Sequence, residues 1–329
     1  MCLRVVNFTN QIPLCSVESN FKAGRRVSGP PTLLSLDLGA SSSKWALYAG
    51  EEYLAEGKAV PLSGHLYTPE ARQQMAEGLA SIRAEVQGRP AALVAGVTGL
   101  QAEYAPMIAE LLSRTFGLPP AAVYVTDDLH LAYSAHFAAG SGTLVYAGTG
   151  SMAYHRTARE DVIRAGGHGF LIDDAGGAFW QGRQGLKVAL RQADEGQPEG
   201  RLAAALYGVI GSWHWPDIRA YVYAGGRAAV ARLAPAVYAA ALDNDPEAQT
   251  IENRAGEELA RLGRVVTRQV GNDQVAAAGG AFNPLVKRAF VKQLGAQLQL
   301  VPSVSPLLGG PALARSLGFF APSSQGVQP

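Results

Sequence analysis

Short apolar segments alternate with amphipathic ones from residue 32 onward. Apolar runs bounded by Gly, Ser or Pro are typical of strands, and apolar residues at every third or fourth position are typical of helices. In the first part of the chain the pattern predicts strands over 32–38, 45–49, 53–59, 91–97 and 122–126, and helices over 69–86, 105–116 and 128–138. This β-β-β-α-β-α-β-α order predicts a mixed sheet with helices covering its faces.

The beginning of that order recurs later in the chain. Strands are predicted over 143–147, 152–155, 162–165 and 275–278, with helical segments through 176–270, 283–294 and 311–317. A strand, a glycine turn and a second strand open each half, and such a repeat favours a duplicated architecture. We therefore expect an N-terminal extension over 1–30, an N-terminal lobe over 31–139, and a C-terminal lobe over 140–329 that includes a helical insert and a closing helix.

Composition and charge narrow the classes of partner. The chain has 28 Lys and Arg against 27 Asp and Glu, and 48% of its residues are hydrophobic. A net charge of +1 gives the protein no excess positive charge to attract nucleic acid or an anionic membrane surface, so neither is expected as a partner. The most apolar stretch, 33–48, contains Asp37 and Lys44 and does not predict a transmembrane helix.

The two cysteines exclude several kinds of site. Cys2 and Cys15 lie in the first thirty residues, which lack the apolar stretch of a signal peptide. Neither has the spacing of a zinc ligand, and two cysteines provide no disulfide framework and no iron–sulfur cluster held by this chain alone. We expect a cytoplasmic setting.

Glycine is abundant, 38 of 329 residues, and the first glycine turn contains residues suited to phosphate. Gly39, Ser41 and Ser42 would let backbone N–H groups and hydroxyls approach an anion, and Lys44 would add positive charge. Asp37, at the end of the preceding strand, is placed to hold a hydrated Mg²⁺ against phosphate oxygens. The alternative is a polar β-turn with a solvated acid.

The second glycine turn repeats this chemistry. Gly148 and Gly150 would allow close backbone approach, and Thr149 and Ser151 would supply hydroxyl donors. One such turn is common in hairpins. Two copies of this glycine turn, each after an apolar strand, predict two phosphate-binding hairpins that face each other across a cleft.

A third glycine cluster spans 166–169 and 173–177. The glycines make this segment flexible, which indicates a loop whose backbone contacts a ligand. Its candidate ligand contacts are Gly167, His168 and Asp174. The alternative for Asp174 is the N-cap of the helix that follows.

A fourth cluster, Gly279, Gly280, Phe282 and Asn283, leads from a strand into a helix. Paired glycines there would let a flat ring lie against the backbone. The alternative is close packing of the helix on the strand.

Two acids, Asp127 and Asp128, end the strand over 122–126. One of them would cap the following helix. The other would occupy the usual ligand position at the carboxyl end of a strand, where a carboxylate can accept the proton of a hydroxyl nucleophile.

In this order the segments resemble the superfamily of sugar kinases, actin and heat-shock ATPases. More narrowly, they resemble the N-acetylglucosamine kinase group with its BadF/BadG/BcrA/BcrD-type ATPases, over 33–317. The resemblance implies an α/β fold of two ribonuclease-H-like, actin-like lobes. Each lobe would carry a mixed five-stranded sheet flanked by helices, with ATP and Mg²⁺ bound in the cleft between them.

The resemblance also implies roles for single residues. Asp37–Lys44 and Gly148–Ser151 match the two phosphate motifs, and Gly279–Asn283 matches the adenosine motif, with Gly309 and Gly310 continuing that pattern. Asp127 falls on the catalytic aspartate, which takes the proton of the sugar hydroxyl.

Departures from the family pattern lie on the acceptor side. Asp174 falls on a ligand of the sugar hydroxyls, and the loop over 166–169 falls on the sugar-side loop. His168 stands where the family usually has Trp, Ala175 where it has Glu, and Met152 where N-acetylglucosamine enzymes often have Asn. The segment 61–63 also lacks an expected Asn.

The favoured interpretation is an ATP-dependent kinase of an amino sugar, N-acetylglucosamine or a glucosamine-like molecule. The alternative is an ATP-binding or ATP-hydrolysing regulator or activator without sugar kinase activity. Kinases of this resemblance are often dimers, so a homodimer is one expected assembly.

Overall fold

Two five-stranded sheets organise residues 31–320, the part of the chain that the computed structural model describes. The predicted extension over 1–30, with both cysteines, lies outside the described residues. No helix within 31–320 combines the length and the apolar character needed to cross a bilayer.

The first sheet has the strand order β3-β2-β1-β4-β5. Its strands are β1 (Thr32–Leu38), β2 (Ser43–Ala49), β3 (Glu52–Ala59), β4 (Ala92–Val97) and β5 (Val123–Asp127). Its helices are α1 (Pro69–Glu85), α2 (Ala105–Phe116) and α3 (Asp128–His136). Because β1 pairs antiparallel with β2 and parallel with β4, the sheet is mixed, as predicted.

The second sheet repeats this topology with the order β10-β9-β6-β7-β8. Its strands are β6 (Thr143–Ala147), β7 (Ser151–Arg156), β8 (Val162–Gly166), β9 (Gln274–Ala278) and β10 (Gln299–Val301). Again the first strand pairs antiparallel with the second and parallel with a later one. The sequence missed β10, a three-residue edge strand that is too short to show a period.

The helices of the second half, apart from the last, pack in two groups. They are α4 (Ala178–Asp194), α5 (Arg201–Ile210), α6 (Trp215–Ala231), α7 (Ala234–Leu242), α8 (Pro246–Val270), α9 (Pro284–Leu294) and α10 (Gly309–Ser316). Leu259 and Val266 of α8 join α9 and the second sheet in one apolar cluster. Helices α5, α6 and α7 pack with α4 in a separate cluster, which is the predicted helical insert.

The closing helix α10 packs on the first sheet, although the sequence assigned it to the C-terminal lobe. Leu313 and Ala314 share an apolar cluster with Leu33 and Leu131. A β-carbon at Gly309 would overlap the carbonyl oxygen of Leu131, and Gly310 meets the side chain of Ser35 in the same way. This glycine pair therefore serves close packing against the first sheet.

We expect Gly309→Ala to lower the free energy of unfolding by about 1–3 kcal/mol, because the added methyl group would force α10 away from α3. Gly208→Ala is the matched control, since Gly208 lies in α5 with open space around its α-carbon. Urea unfolding measures both variants. Gly309→Ala with wild-type stability would contradict the described packing of α10.

Candidate active site

Three acids gather at one edge of the first sheet. Strands β1, β4 and β5 run parallel, so their carboxyl ends meet at this edge. The register places Asp37 beside Gly96 of β4, and Asp127 is the last residue of β5. Asp128 begins α3 directly after it. Asp37 thus lies near the end of β1 and the Asp127–Asp128 pair at the end of β5, with β4 between the two strands.

Asp127 is the N-cap of α3. Its carboxylate accepts a hydrogen bond of 2.8 Å from the backbone N–H of His130, which fixes the orientation of the group. Only one of its two carboxylate oxygens accepts such a bond within 31–320. Burial raises the pKa of Asp127, and the neighbouring charge of Asp128 adds to the rise.

Asp128 is held by a residue that the sequence analysis missed. The hydroxyl of Thr98, in the turn after β4, donates a 2.6 Å hydrogen bond to its carboxylate. Burial raises the pKa of Asp128, and this hydrogen bond opposes the rise. Thr98 could have been found from its position at the carboxyl end of a parallel strand, where ligand-binding residues commonly lie.

Asp37 is suited to a divalent cation. Burial and then the charge of Asp128 raise its pKa to about 6, and Lys44, its cross-strand neighbour on β2, lowers it. Within 31–320 no group of three or more His, Cys, Asp or Glu residues is arranged to hold a metal ion by itself. Mg²⁺ commonly binds one or two carboxylates together with substrate phosphates, so Asp37 and Asp128 fit a shared Mg²⁺.

The turn of the first hairpin is open to solvent. A β-carbon at Gly39 would come within 2.6 Å of the Ser42 carbonyl oxygen, so the tight turn requires glycine. The backbone N–H of Leu62 donates a 3.1 Å hydrogen bond to the Gly39 carbonyl, which ties the turn to the chain after β3. Ser41 and Ser42 are exposed and free to meet a ligand.

The turn of the second hairpin is fixed to the start of α4. The carbonyl oxygens of Gly148 and Thr149 accept hydrogen bonds of 2.9 and 3.0 Å from the first backbone N–H groups of that helix. Ser151 is buried, and its hydroxyl donates a 2.7 Å hydrogen bond to the Ala175 carbonyl. The predicted hydroxyl of Ser151 is thus engaged inside the protein, whereas Thr149 is half-buried at the turn.

Asp174 connects the loop over 166–169, called the acceptor-side loop below, to this second hairpin. Its carboxylate, 4% exposed as a residue, accepts a hydrogen bond of 3.2 Å from the Gly169 N–H and lies 3.5 Å from the guanidinium of Arg227 on α6. Burial raises its pKa, and Arg227 opposes the rise. Gly177 is the N-cap of α4, so the alternative role of Asp174 as that cap is wrong.

The remaining acceptor-loop candidates differ in exposure. His168 is exposed and Gly167 is half-buried. A β-carbon at Gly167 would overlap the end of the Met152 side chain, and Gly167 has a φ of 66° that favours glycine. His168, at the position where the resemblance implies Trp, is therefore accessible to solvent beside the tightly packed Gly167.

Residues of the predicted adenosine motif differ in their surroundings: some are closely packed, and one has open space beside it. Gly279, with φ at 104°, lies against the backbone of Ala147 at the end of β6. Phe282 packs edge-on against Phe290 at 5.2 Å, while Gly280 has open space beside its α-carbon. Gly280 is therefore the member of the motif that a flat ring can approach.

Asn283 is the N-cap of α9. Its side-chain oxygen accepts hydrogen bonds from the N–H groups of Leu285 and Val286, and its amide donates a 2.6 Å hydrogen bond to Glu252 on α8. Burial raises the pKa of Glu252 to about 7. The side-chain oxygen of Asn283 thus caps α9, and its amide links that helix to α8. The sequence did not reveal this role.

The second sheet faces the acids of the first. The charges of Asp37 and Asp128 help burial to raise the pKa of Tyr146 on β6. In the same way, Asp127 adds to the raised pKa of Tyr154 on β7. Tyr146 of the second sheet therefore lies near Asp37 and Asp128 of the first, and Tyr154 lies near Asp127.

Comparisons with known proteins agree with this geometry. A model of the BadF/BadG/BcrA/BcrD ATPase family matches residues 34–309. An N-acetylmuramic acid/N-acetylglucosamine kinase of Clostridium acetobutylicum is 25% identical over 198 residues, which cover 58% of this chain and 64% of that relative, less than two thirds of its length.

Solved structures are similar in fold. A candidate N-acetylglucosamine kinase from Chromobacterium violaceum is 22% identical with a TM-score of 0.67, and the match covers 86% of this chain and 99% of that one. A ROK family glucokinase from Streptomyces griseus, solved with glucose and AMPPNP, is 14% identical with a TM-score of 0.60 over 87% and 99% of the two chains. The predicted actin-like α/β fold is confirmed. Since the family model matches most of the sequence, this chain belongs to the BadF/BadG/BcrA/BcrD ATPase family.

Proposed function

We propose that this protein is an ATP-dependent sugar kinase, which transfers the γ-phosphoryl group of ATP to a hydroxyl of an amino sugar such as N-acetylglucosamine. One observation carries the proposal: half-buried carboxylates at the carboxyl ends of β1 and β5 lie near Tyr146 and Tyr154 of the second sheet, and each sheet contains a glycine hairpin. Phosphoryl transfer to an alcohol needs anion donors, a cation site and a proton acceptor together. The family match and the named activity of the Clostridium relative support this reading.

The two hairpins would bind the phosphates from opposite sides of the cleft. Backbone N–H groups at Gly39 and Gly150 and the hydroxyls of Ser41, Ser42 and Thr149 are the donors we assign to this task. Asp37 and Asp128 would hold Mg²⁺, which when bound neutralises negative charge on the phosphate oxygens.

Asp127 is the general base in this proposal. Its N-cap bond to His130 holds the carboxylate in one orientation and leaves its second oxygen to accept the proton of the acceptor hydroxyl. Burial raises the pKa of Asp127, which makes the carboxylate a stronger proton acceptor. Orientation and electrostatic stabilisation then carry most of the rate enhancement.

The acceptor would lie between this base and the acceptor-side loop. Asp174 supplies a buried carboxylate for a sugar hydroxyl, and Gly167 and His168 supply the wall of the site. The amino-sugar class rests on the named substrates of the Clostridium relative, since His168 and Ala175 depart from the usual family residues.

A screen of acceptors tests the reaction. With Mg·ATP present, we expect ADP release to rise with N-acetylglucosamine or another amino sugar and to stay at its basal rate with glycerol. Coupled measurement of ADP across amino sugars, N-acetylmuramic acid and neutral hexoses provides the comparison. Hydrolysis that ignores every sugar would instead favour the ATP-dependent regulator.

Replacement of the base tests the mechanism. We expect Asp127→Asn to lower kcat by about 10²–10⁴-fold, because the amide cannot accept the proton, while Mg·ATP binding stays unchanged. Asp161→Asn, at an exposed acid, is the control and keeps wild-type turnover. Steady-state kinetics and calorimetric ATP titration measure the two effects, and wild-type turnover by Asp127→Asn would exclude Asp127 as the base.

A further inference from the structure

An arginine from the helical insert lies at the tip of the second hairpin. A β-carbon at Gly150 would come within 2.7 Å of a guanidinium nitrogen of Arg227, and it would overlap the Asp174 carboxylate. The guanidinium therefore occupies the space beside Gly150 that a side chain would fill. No other cation forms an ion pair with Asp174 within 31–320.

The backbone of α6 is bent at the residue before this arginine. Gly226 has φ 58° and ψ −153°, a conformation that is essentially restricted to glycine. Gly225 precedes it, so a glycine pair interrupts the helix just before Arg227. The helix is therefore bent directly before Arg227, the residue whose side chain approaches the second hairpin.

The guanidinium has unused hydrogen-bonding capacity. Its distance to Asp174 is 3.5 Å, longer than the roughly 2.7–2.9 Å of a charge-assisted hydrogen bond. Among the hydrogen bonds of the described residues none is donated by Arg227, and 41% of its side chain is exposed. The ring of Phe170 lies 5.6 Å from the guanidinium carbon and supports it from one side.

We propose that Arg227 binds oxygens of the phosphoryl group while that group is transferred. This inference rests on the proposed kinase function. The bond between the γ-phosphorus and the ADP oxygen breaks, the bond to the acceptor oxygen forms, and the acceptor proton passes to Asp127. Negative charge on the phosphoryl oxygens is stabilised by the planar, five-donor guanidinium, and Asp174 holds that guanidinium at the hairpin beforehand.

A phosphoryl ligand explains the arrangement better than charge neutralisation alone. An arginine that only balanced Asp174 would gain most from short, bidentate hydrogen bonds to the carboxylate. Arg227 instead spreads its contacts over Gly150, Phe170 and Asp174, and faces the turn to which we assign phosphate binding.

Variants at Arg227 separate these roles. We expect Arg227→Gln to lower kcat by about 100-fold and to weaken Mg·AMPPNP binding while leaving Mg·ADP binding unchanged, since only AMPPNP carries the terminal phosphoryl group. Arg227→Lys should retain part of the activity, because an ammonium keeps the charge but not the fork of donors. Arg232→Gln is the matched control, an exposed arginine at the end of the same helix.

Three results would overturn the inference. The first is wild-type turnover and AMPPNP affinity in Arg227→Gln. The second is an equal loss of AMPPNP and ADP affinity together with a lower free energy of unfolding, which indicates a structural counterion. The third is a loss confined to N-acetylmuramic acid, which indicates that Arg227 binds an acceptor carboxylate. The ratio of AMPPNP to ADP affinity tests Arg227 even if the wild-type protein phosphorylates no sugar.

Discussion

Desolvation of three half-buried carboxylates at one strand edge, to which the charge of Asp128 adds at Asp37 and Asp127, is the constraint on which the site depends. Burial raises the pKa of Asp37, Asp127 and Asp128 together, and only Lys44 adds a nearby compensating cation on the first sheet. Such a cluster is stabilised when a divalent cation and hydrogen-bond donors arrive. The same electrostatic demand is the reason that we propose Mg²⁺ and its accompanying phosphates as ligands of this edge.

The second sheet complements this acidic edge with donors. Its hairpin offers the backbone N–H groups of Thr149 and Gly150, while that of Gly148 donates to the Gly150 carbonyl, and the insert adds the guanidinium of Arg227 beside them. A net charge of +1 over the whole chain conceals this local concentration of acids at the edge of the first sheet. Phosphate binding by oriented amides and a single arginine does not require a basic surface.

Local signals in the sequence were enough to predict every described strand except β10, both hairpins and the acids. Gly39 and Gly148 interrupt apolar strands, and Asp127 ends one, so each is visible within a few residues. Contacts between distant segments were not predictable, because they depend on close packing. Gly309 meets Leu131 far earlier in the chain, Asn283 and Ser151 direct their polar groups into the protein, and Arg227 reaches the hairpin only through a bend in α6.

Hydrogen exchange with Mg·AMPPNP tests the two-sided phosphate clamp most directly. Backbone amides that bind phosphate oxygens exchange more slowly when the ligand is present. The clamp predicts slower exchange at residues 39–42 and 148–150 together, at the same ligand concentration and to a similar extent. Protection of one hairpin alone, or protection confined to segments away from both turns, would contradict it.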